Sequence, residues 1–175
     1  INKGWVTGPR IFASTRALSP MGGQFVKMTP EGQNILVSKE YVEINGVVEA
    51  REAVRRAIYD GADCIKVIVN NNRLVLNLEE LTSIVGEAKR AGLKVAAHAT
   101  NGDGPSLLAV KAGVHSIEHG YTISEQVLEL MSEKDIYLVP TDRIGVERYQ
   151  SRIQRALAAK VKIAFGSDMY YFNDQ

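Results

Sequence analysis

GLKVAAHATNGDGPSLLAVKAGVHSIEHG, residues 92 to 120, decides how the rest of the chain is read. It opens with a short apolar run at 94 to 99, KVAAHA, passes through a Gly- and Pro-marked turn into a helical pattern at about 104 to 112, and closes on a second run at 116 to 120, SIEHG. Short apolar runs separated by a helical segment read as a strand-helix-strand unit. Strands that are apolar on both faces and joined by helices belong in a parallel sheet covered on its faces. His98 and His119 each close one of the runs, and 21 residues (119 minus 98) is a natural length for one such repeat. The two imidazoles should therefore arrive on neighbouring strands and point into the same mouth.

The alternation continues outward in both directions. Further apolar runs are IFAS at 11 to 14, IKVIV at 65 to 69, YLVPT at 137 to 141 and KIAFGSD at 162 to 168, making six candidate strands with the first two. One helix is striped by Val47, Ala50, Val54, Ala57 and Ile58 and closed by Gly61; a second is striped by Leu78, Leu81, Ile84, Val85 and Ala88. The second has Asn77 and Glu80 spaced for a reciprocal N-terminal cap, and Gly92 for the left-handed residue past its end. Shorter helices are expected at about 124 to 134 and 151 to 160, and the polar, Gly-rich segment from Ser19 to Gln33 reads as a long site-forming loop or small hairpin.

Such a sheet can be open and doubly wound or closed into an eight-stranded barrel. His98, His119 and Asp168 favour the barrel, because each sits at the carboxyl end of a different strand, where barrel enzymes assemble their sites. A doubly wound nucleotide binder should carry a glycine fingerprint at a strand-to-helix turn, and NGDGPS at 101 to 106 is too short for either phosphate-loop pattern. The expected class is α/β, a TIM-type (β/α)8 barrel represented by about six strand-helix units.

Composition narrows the function classes. The 175 residues are 45% apolar with a net charge of +1, which suits a globular domain. The 21 basic and 20 acidic residues are spread along the chain without the basic stripe that nucleic-acid binding needs. No apolar run approaches the roughly 20 residues of a membrane span, and INKGWVTGPR lacks the regions of a signal peptide. A chain that starts at Ile1 leaves the compartment open all the same, and Cys64, the single cysteine, supports no disulfide framework.

Four residues carry the chemistry. Lys66 lies among Ile65, Val67, Ile68 and Val69, where a strand buried on both faces offers an ammonium ion no favourable place. Burial lowers a lysine's pKa, and the neutral amine can act as a base, form a Schiff base, or take up carbon dioxide as a carbamate able to bridge two divalent cations. The alternative is a lysine snorkelling to solvent. His98 and His119 supply neutral imidazole, the commonest protein ligand for zinc. Asp168 in GSD can ligate a metal and also carry a proton between water and a leaving nitrogen, or else cap the next helix. His115 precedes its strand and should lie on the opposite rim in a structural role.

These residues resemble the amidohydrolase superfamily, in its imidazolonepropionase-like and prolidase-like branch of binuclear metal hydrolases. GPRIFAS with ALSPMGG is similar to the third barrel strand and its loop, GADCIKV to the fourth strand, GLKVAAHAT to the fifth, AGVHSIEHG to the sixth, IYLVPT to the seventh and AAKVKIAFGSD to the eighth. The resemblance implies that Lys66 is a carboxylated bridging ligand, that His98 and His119 bind the second metal, and that Asp168 binds the first and serves as acid/base. It implies two divalent ions, zinc being the first choice, and carbon dioxide held as the carbamate on Lys66. It also implies attack by a metal-bridging hydroxide on amide or peptide bonds of dipeptides, N-acyl amino acids or cyclic amides.

The sequence departs from that pattern in three places. The His-x-His pair expected on the first strand is missing from a chain with three histidines, so residues 1 to 175 are expected to be a partial barrel domain, without the first two strands and the flanking small β domain, and inactive alone. Gln24 stands where a histidine usually follows the paired glycines; it can still donate a hydrogen bond to a substrate carbonyl. The stretch from Thr141 to Ser151 is shorter than in relatives. Tyr121 and Arg73 are candidates for holding a substrate carboxylate, and Tyr170 and Tyr171 for lining the pocket. Expected partners are a small-molecule amide or dipeptide, with no nucleic acid and no membrane; a homo-oligomer is compatible with the sequence. The rival readings are a mononuclear deaminase or cyclic-amide hydrolase with Lys66 uncarboxylated, and an inactive barrel fragment serving as a binding module.

Overall fold

The computed structural model describes residues 4–24, 29–142 and 147–168, the last stretch with side chains from residue 151 onward. Its elements run β1 (Ala17–Ser19), α1 (Pro30–Glu40), β2 (Tyr41–Glu43), α2 (Val47–Tyr59), β3 (Cys64–Ile68), α3 (Leu78–Arg90), β4 (Lys94–Ala99), α4 (Asp103–Ala112), β5 (Ser116–His119), α5 (Glu125–Glu133), β6 (Tyr137–Val139) and α6 (Glu147–Ala158). All six strands are parallel, in the order β2-β1-β3-β4-β5-β6. Helices α2 to α6 pack each against the next in one layer. The parallel α/β sheet expected from the sequence is therefore present, with the central unit β4-α4-β5 where the spacing put it.

One face of the sheet holds the core. Ile65 and Val67 of β3, Val95, Ala97 and Ala99 of β4, and Ile117 of β5 are buried with Val54, Leu81, Ile84 and Val110 of the helices. The intervening residues, Cys64, Lys66, Ala96, His98, Ser116 and Glu118, are only half-buried. Since side chains alternate along a strand, these six share the opposite face. Ile68 continues that face and packs with Val37, Tyr41 and Ala17 in a small second cluster.

The α3 cap forms as its spacing requires. Asn77 Oδ1 accepts from the Glu80 amide at 2.9 Å, and Glu80 Oε2 accepts from the Asn77 amide at 2.8 Å. The other Glu80 oxygen accepts from the Gly46 amide at 2.7 Å, so the same carboxylate ties the entry of α2 to α3.

Three expectations are corrected at the ends of the chain. Residues 11 to 14 are not a strand: Ile11 and Phe12 are 52% and 62% exposed, and the pairing segment is Ala17–Ser19, whose Leu18 is buried against Val67. Ala13 instead trades backbone and side-chain hydrogen bonds with Asp63 ahead of β3. The segment after Ser19 is not a loop throughout, because Thr29 caps α1, Pro30 starts it, and β2 follows directly. Helix α1 buries only Val37, so its sequence shows no apolar stripe to announce it. At the other end, 162 to 168 makes only an isolated parallel bridge, Leu138 to Ile163, against β6.

That bridge carries Gly166 close to β6. A Cβ on Gly166 would lie 2.6 Å from Val139 Cγ1 and 3.4 Å from Thr141 Cγ2. A β-branched neighbour has little rotamer freedom to yield. Gly166→Ala is expected to lower the unfolding free energy by ~1–3 kcal/mol, read as a lower urea midpoint at unchanged slope. An unchanged midpoint would show that the segment moves away at no cost.

Candidate functional site

The strand register sets the site. Lys66 pairs with Ala96, and Ala96 with Ser116; Ile68 pairs with His98, and His98 with Glu118. Lys66, His98 and Glu118 thus face the same side on three successive strands, with only the methyl group of Ala96 in the row between Lys66 and Ser116. His119 pairs with Ala99, which points into the helical core, so regular strand geometry would send its ring to the wrong face. Its φ of 70° breaks the alternation. The ring instead meets that of His98 edge-on, with centroids 4.6 Å apart.

Each imidazole is tethered by a different nitrogen. His98 Nε2 lies 3.3 Å from Thr100 Oγ1, and Thr100 is held in turn by buried Asn70, whose Oδ1 accepts from the Thr100 amide at 2.9 Å. His119 Nδ1 lies 2.6 Å from Thr141 Oγ1 and 3.3 Å from the Tyr121 hydroxyl. That leaves Nδ1 of His98 and Nε2 of His119 without a hydrogen bond among the described residues. Burial is the main cause that pushes His98 down to about 3, reinforced by His119 and Lys66. Burial also pushes His119 down to about 4; Asp168 opposes this, and Lys66 and Arg152 add to it. Both rings are consequently neutral at neutral pH, the form that can ligate a metal.

Burial likewise lowers the Lys66 amine, against the pull of Glu118, Asp168 and Cys64. Asp168 is exposed, at a φ of 50°, within electrostatic reach of both Lys66 and His119. The structure therefore brings Lys66, His98, His119, Asp168 and Tyr121 to one end of the sheet. Arg73 lies at the same end, on the loop after β3, but it is exposed, with its amide donating to Asn71 Oδ1, and no hydrogen bond or ion pair joins it to these side chains among the described residues. Gln24 is half-buried at the end of a turn, with no contact to the histidines among the described residues. Tyr170 and Tyr171 lie outside the described residues. His115 is where a structural residue belongs, its Nδ1 accepting from the Val95 amide at 3.0 Å at the amino ends of the strands.

Glu118, Thr100, Asn70, Thr141 and Arg152 escaped the sequence reading. Glu118 carried the same signal as Lys66, a charge within an apolar strand run, and its Oε1 accepts from Ser116 Oγ at 2.6 Å. The others had no local signal, because their role arises only from contacts between strand ends.

A divalent cation suits this donor set chemically: two neutral imidazoles with untethered nitrogens, an amine biased toward its neutral form, and a nearby carboxylate. Among the described residues, no group of three His, Cys, Asp or Glu side chains converges as a complete ligand set.

A parallel strand-helix sheet with polar residues gathered at the carboxyl ends of its strands defines a barrel-type α/β enzyme scaffold. The chain belongs to the amidohydrolase family, whose model matches residues 4–173. It is 36% identical over 166 residues to an ochratoxinase of Aspergillus niger, covering 81% of this chain and 34% of that protein. The crystal structure of A. niger ochratoxinase superposes with a TM-score of 0.78 at 29% identity, over 95% of this chain and 48% of that one. A Xaa-Pro dipeptidase with bound methionine in its active site gives 0.76 at 31% identity, over 96% and 50%. A prolidase complexed with N-methylphosphonate-L-proline gives 0.80 at 28% identity, over 96% and 50%. The chain spans about a third of the length of the curated relative and about half of each of these solved chains. These neighbours are TIM-barrel amidohydrolases, which fixes the fold class.

Proposed function

We propose that the protein hydrolyses carbon-nitrogen bonds of the amide or peptide type, in substrates such as Xaa-Pro dipeptides, N-acyl amino acids or cyclic amides, using divalent metal. The observation that carries the reading is the His98–His119 pair: two neutral imidazoles on adjacent strand ends, in edge contact, each tethered through one nitrogen and, among the described residues, without a hydrogen bond at the other. The relatives support it, one being an ochratoxinase and others prolidase or Xaa-Pro dipeptidase structures. Lys66, His98, His119 and Asp168 would hold the metal, with Lys66 as its carbamate if two ions are bound. When bound, the metal polarises the scissile carbonyl and makes water acidic enough to attack near neutral pH.

The chain's own residues divide the remaining work. Asp168, exposed at the mouth, takes a proton from water and returns it to the leaving nitrogen. Tyr121, beside His119, offers a hydroxyl to a substrate carbonyl or carboxylate. Gln24 and Arg73, on the turns that follow β1 and β3, are the further candidates for substrate contact. No helix among the described residues is long and apolar enough to cross a membrane.

The test is to reconstitute with zinc a full-length protein that joins these 175 residues to the strands they are expected to lack, count bound metal by elemental analysis, and assay a panel of Xaa-Pro dipeptides and N-acyl amino acids for amine release. Two equivalents with amide cleavage are expected. One equivalent with ammonia release would replace this reading with the mononuclear deaminase. Bound metal without any cleavage across the panel would overturn it.

A further inference from the structure

The end of β6 holds a residue in a conformation it should avoid. Thr141 has a φ of 56°, and a β-branched side chain in the left-handed region is a genuine outlier. Such a backbone persists only where the surroundings over-determine it, and outliers of this kind cluster at functional sites. Among the described residues, one side chain binds the chain on both sides of Thr141. Arg152 of α6, fully buried, donates through Nη2 to the Pro140 carbonyl at 3.3 Å and to Asp142 Oδ1. One guanidinium thus grips the residues on either side of Thr141. The same guanidinium carbon lies 5.2 Å from the centroid of the Tyr121 ring, and the Tyr121 hydroxyl lies 3.3 Å from His119 Nδ1.

What this bracing achieves is the placement of one oxygen. Thr141 Oγ1 sits 2.6 Å from His119 Nδ1, across from β6 to β5. His119 itself has left regular strand geometry, so the ladder does not fix its ring. We infer that Thr141 is the positioning residue for His119, held in its left-handed conformation by the Arg152 grip so that its hydroxyl accepts from His119 Nδ1–H and leaves Nε2 bare. An outer partner of this kind sets the tautomer and aim of a ligating imidazole. The inference rests on the reading of His119 as a metal ligand for its purpose, but the placement of the proton is a property of the metal-free protein.

The two parts can be tested separately. In metal-free protein at neutral pH, long-range nitrogen-proton NMR correlations of the His119 ring are expected to show the Nδ1–H tautomer alone. Thr141→Val keeps the shape and removes the oxygen; it is expected to mix the tautomers and to weaken zinc binding about ten- to hundredfold. Thr141→Ser should restore both. Thr141→Gly also lacks the hydroxyl but suits a left-handed backbone. It should be at least as stable as the valine variant and equally defective in zinc binding, which a merely structural threonine would not produce. The His98 ring, tethered by Thr100 and not by Thr141, should keep its own tautomer throughout. An unchanged tautomer population in Thr141→Val and Thr141→Gly would overturn the inference. If wild type shows the single tautomer and loses it in those variants, yet binds no zinc, the positioning stands and the metal reading fails.

Discussion

Lys66→Met, made in the full-length protein that carries this chain, is expected to lower kcat/KM for amide hydrolysis by the metal-reconstituted form at least about a thousandfold, while raising the urea midpoint of the metal-free protein. The activity loss follows from removing one of the four donors assigned to the metal, when a metal's charge stabilisation is worth several kcal/mol and each ~1.4 kcal/mol is tenfold in rate. The stability gain follows from the sign of the Lys66 shift. Burial lowers its pKa below 10.5 in the folded state despite the pull of Glu118, Asp168 and Cys64. Between the folded and unfolded values, the unfolded chain binds a proton that the folded chain refuses, so stability falls as pH drops through that window and stays lowered beneath it. Methionine has similar length and no charge to desolvate, so it escapes that penalty at pH 7. A residue that destabilises the fold and is required for activity is the trade expected of a functional group. Full activity in Lys66→Met would remove Lys66 from the site. A lower urea midpoint would mean that Glu118 and Asp168 stabilise the ammonium more than burial penalises it.

The middle of the chain could be read from its sequence because local and tertiary demands coincide there. The KVAAHA and SIEHG runs are strands at 94–99 and 116–119, and the helix between them occupies 103–112 against an expected 104 to 112. Each strand is apolar on its helix-facing side, and His98 and His119 close them where chain reversal requires a break. The flanks misled for the opposite reason. IFAS is apolar yet makes no ladder, whereas ALS and YVE are strands of three residues whose position is fixed by pairing with each other and with Val67. Within the site, residue types announced Lys66, His98 and His119, since charge or imidazole in an apolar run demands an explanation. Thr100, Asn70, Thr141 and Arg152 did not announce themselves. Their importance is a matter of which strand ends meet, and Arg152 is buried in a helix whose sequence is strongly polar.

Acid should unfold the metal-free protein well above the carboxylate range. Above pH 6.5 the imidazoles are neutral in both folded and unfolded chains, so their contribution is fully present. As pH falls below 6.5, the unfolded chain takes up protons that the folded sites accept only at about 3 for His98 and about 4 for His119. Each imidazole then removes ~1.4 kcal/mol per pH unit, or roughly 2 kcal/mol between pH 6.5 and 5. His115, lowered by burial and by Lys94, acts in the same direction. Glu87, held below its usual range by Arg55, loses its contribution only as pH falls below about 4.5, outside this window. Urea unfolding of the metal-free protein at pH 7, 6 and 5 should show the decline, and His98→Gln should make it shallower by ~1.4 kcal/mol per pH unit. Excess zinc should add stability at pH 7 through binding to the folded state, and lose that advantage as protons compete for the same nitrogens. An unfolding midpoint that does not change from pH 7 to 5 would mean that solvent protonates both rings in the folded state. Such rings would be ordinary surface histidines, and the neutral pair on which metal binding depends would not exist.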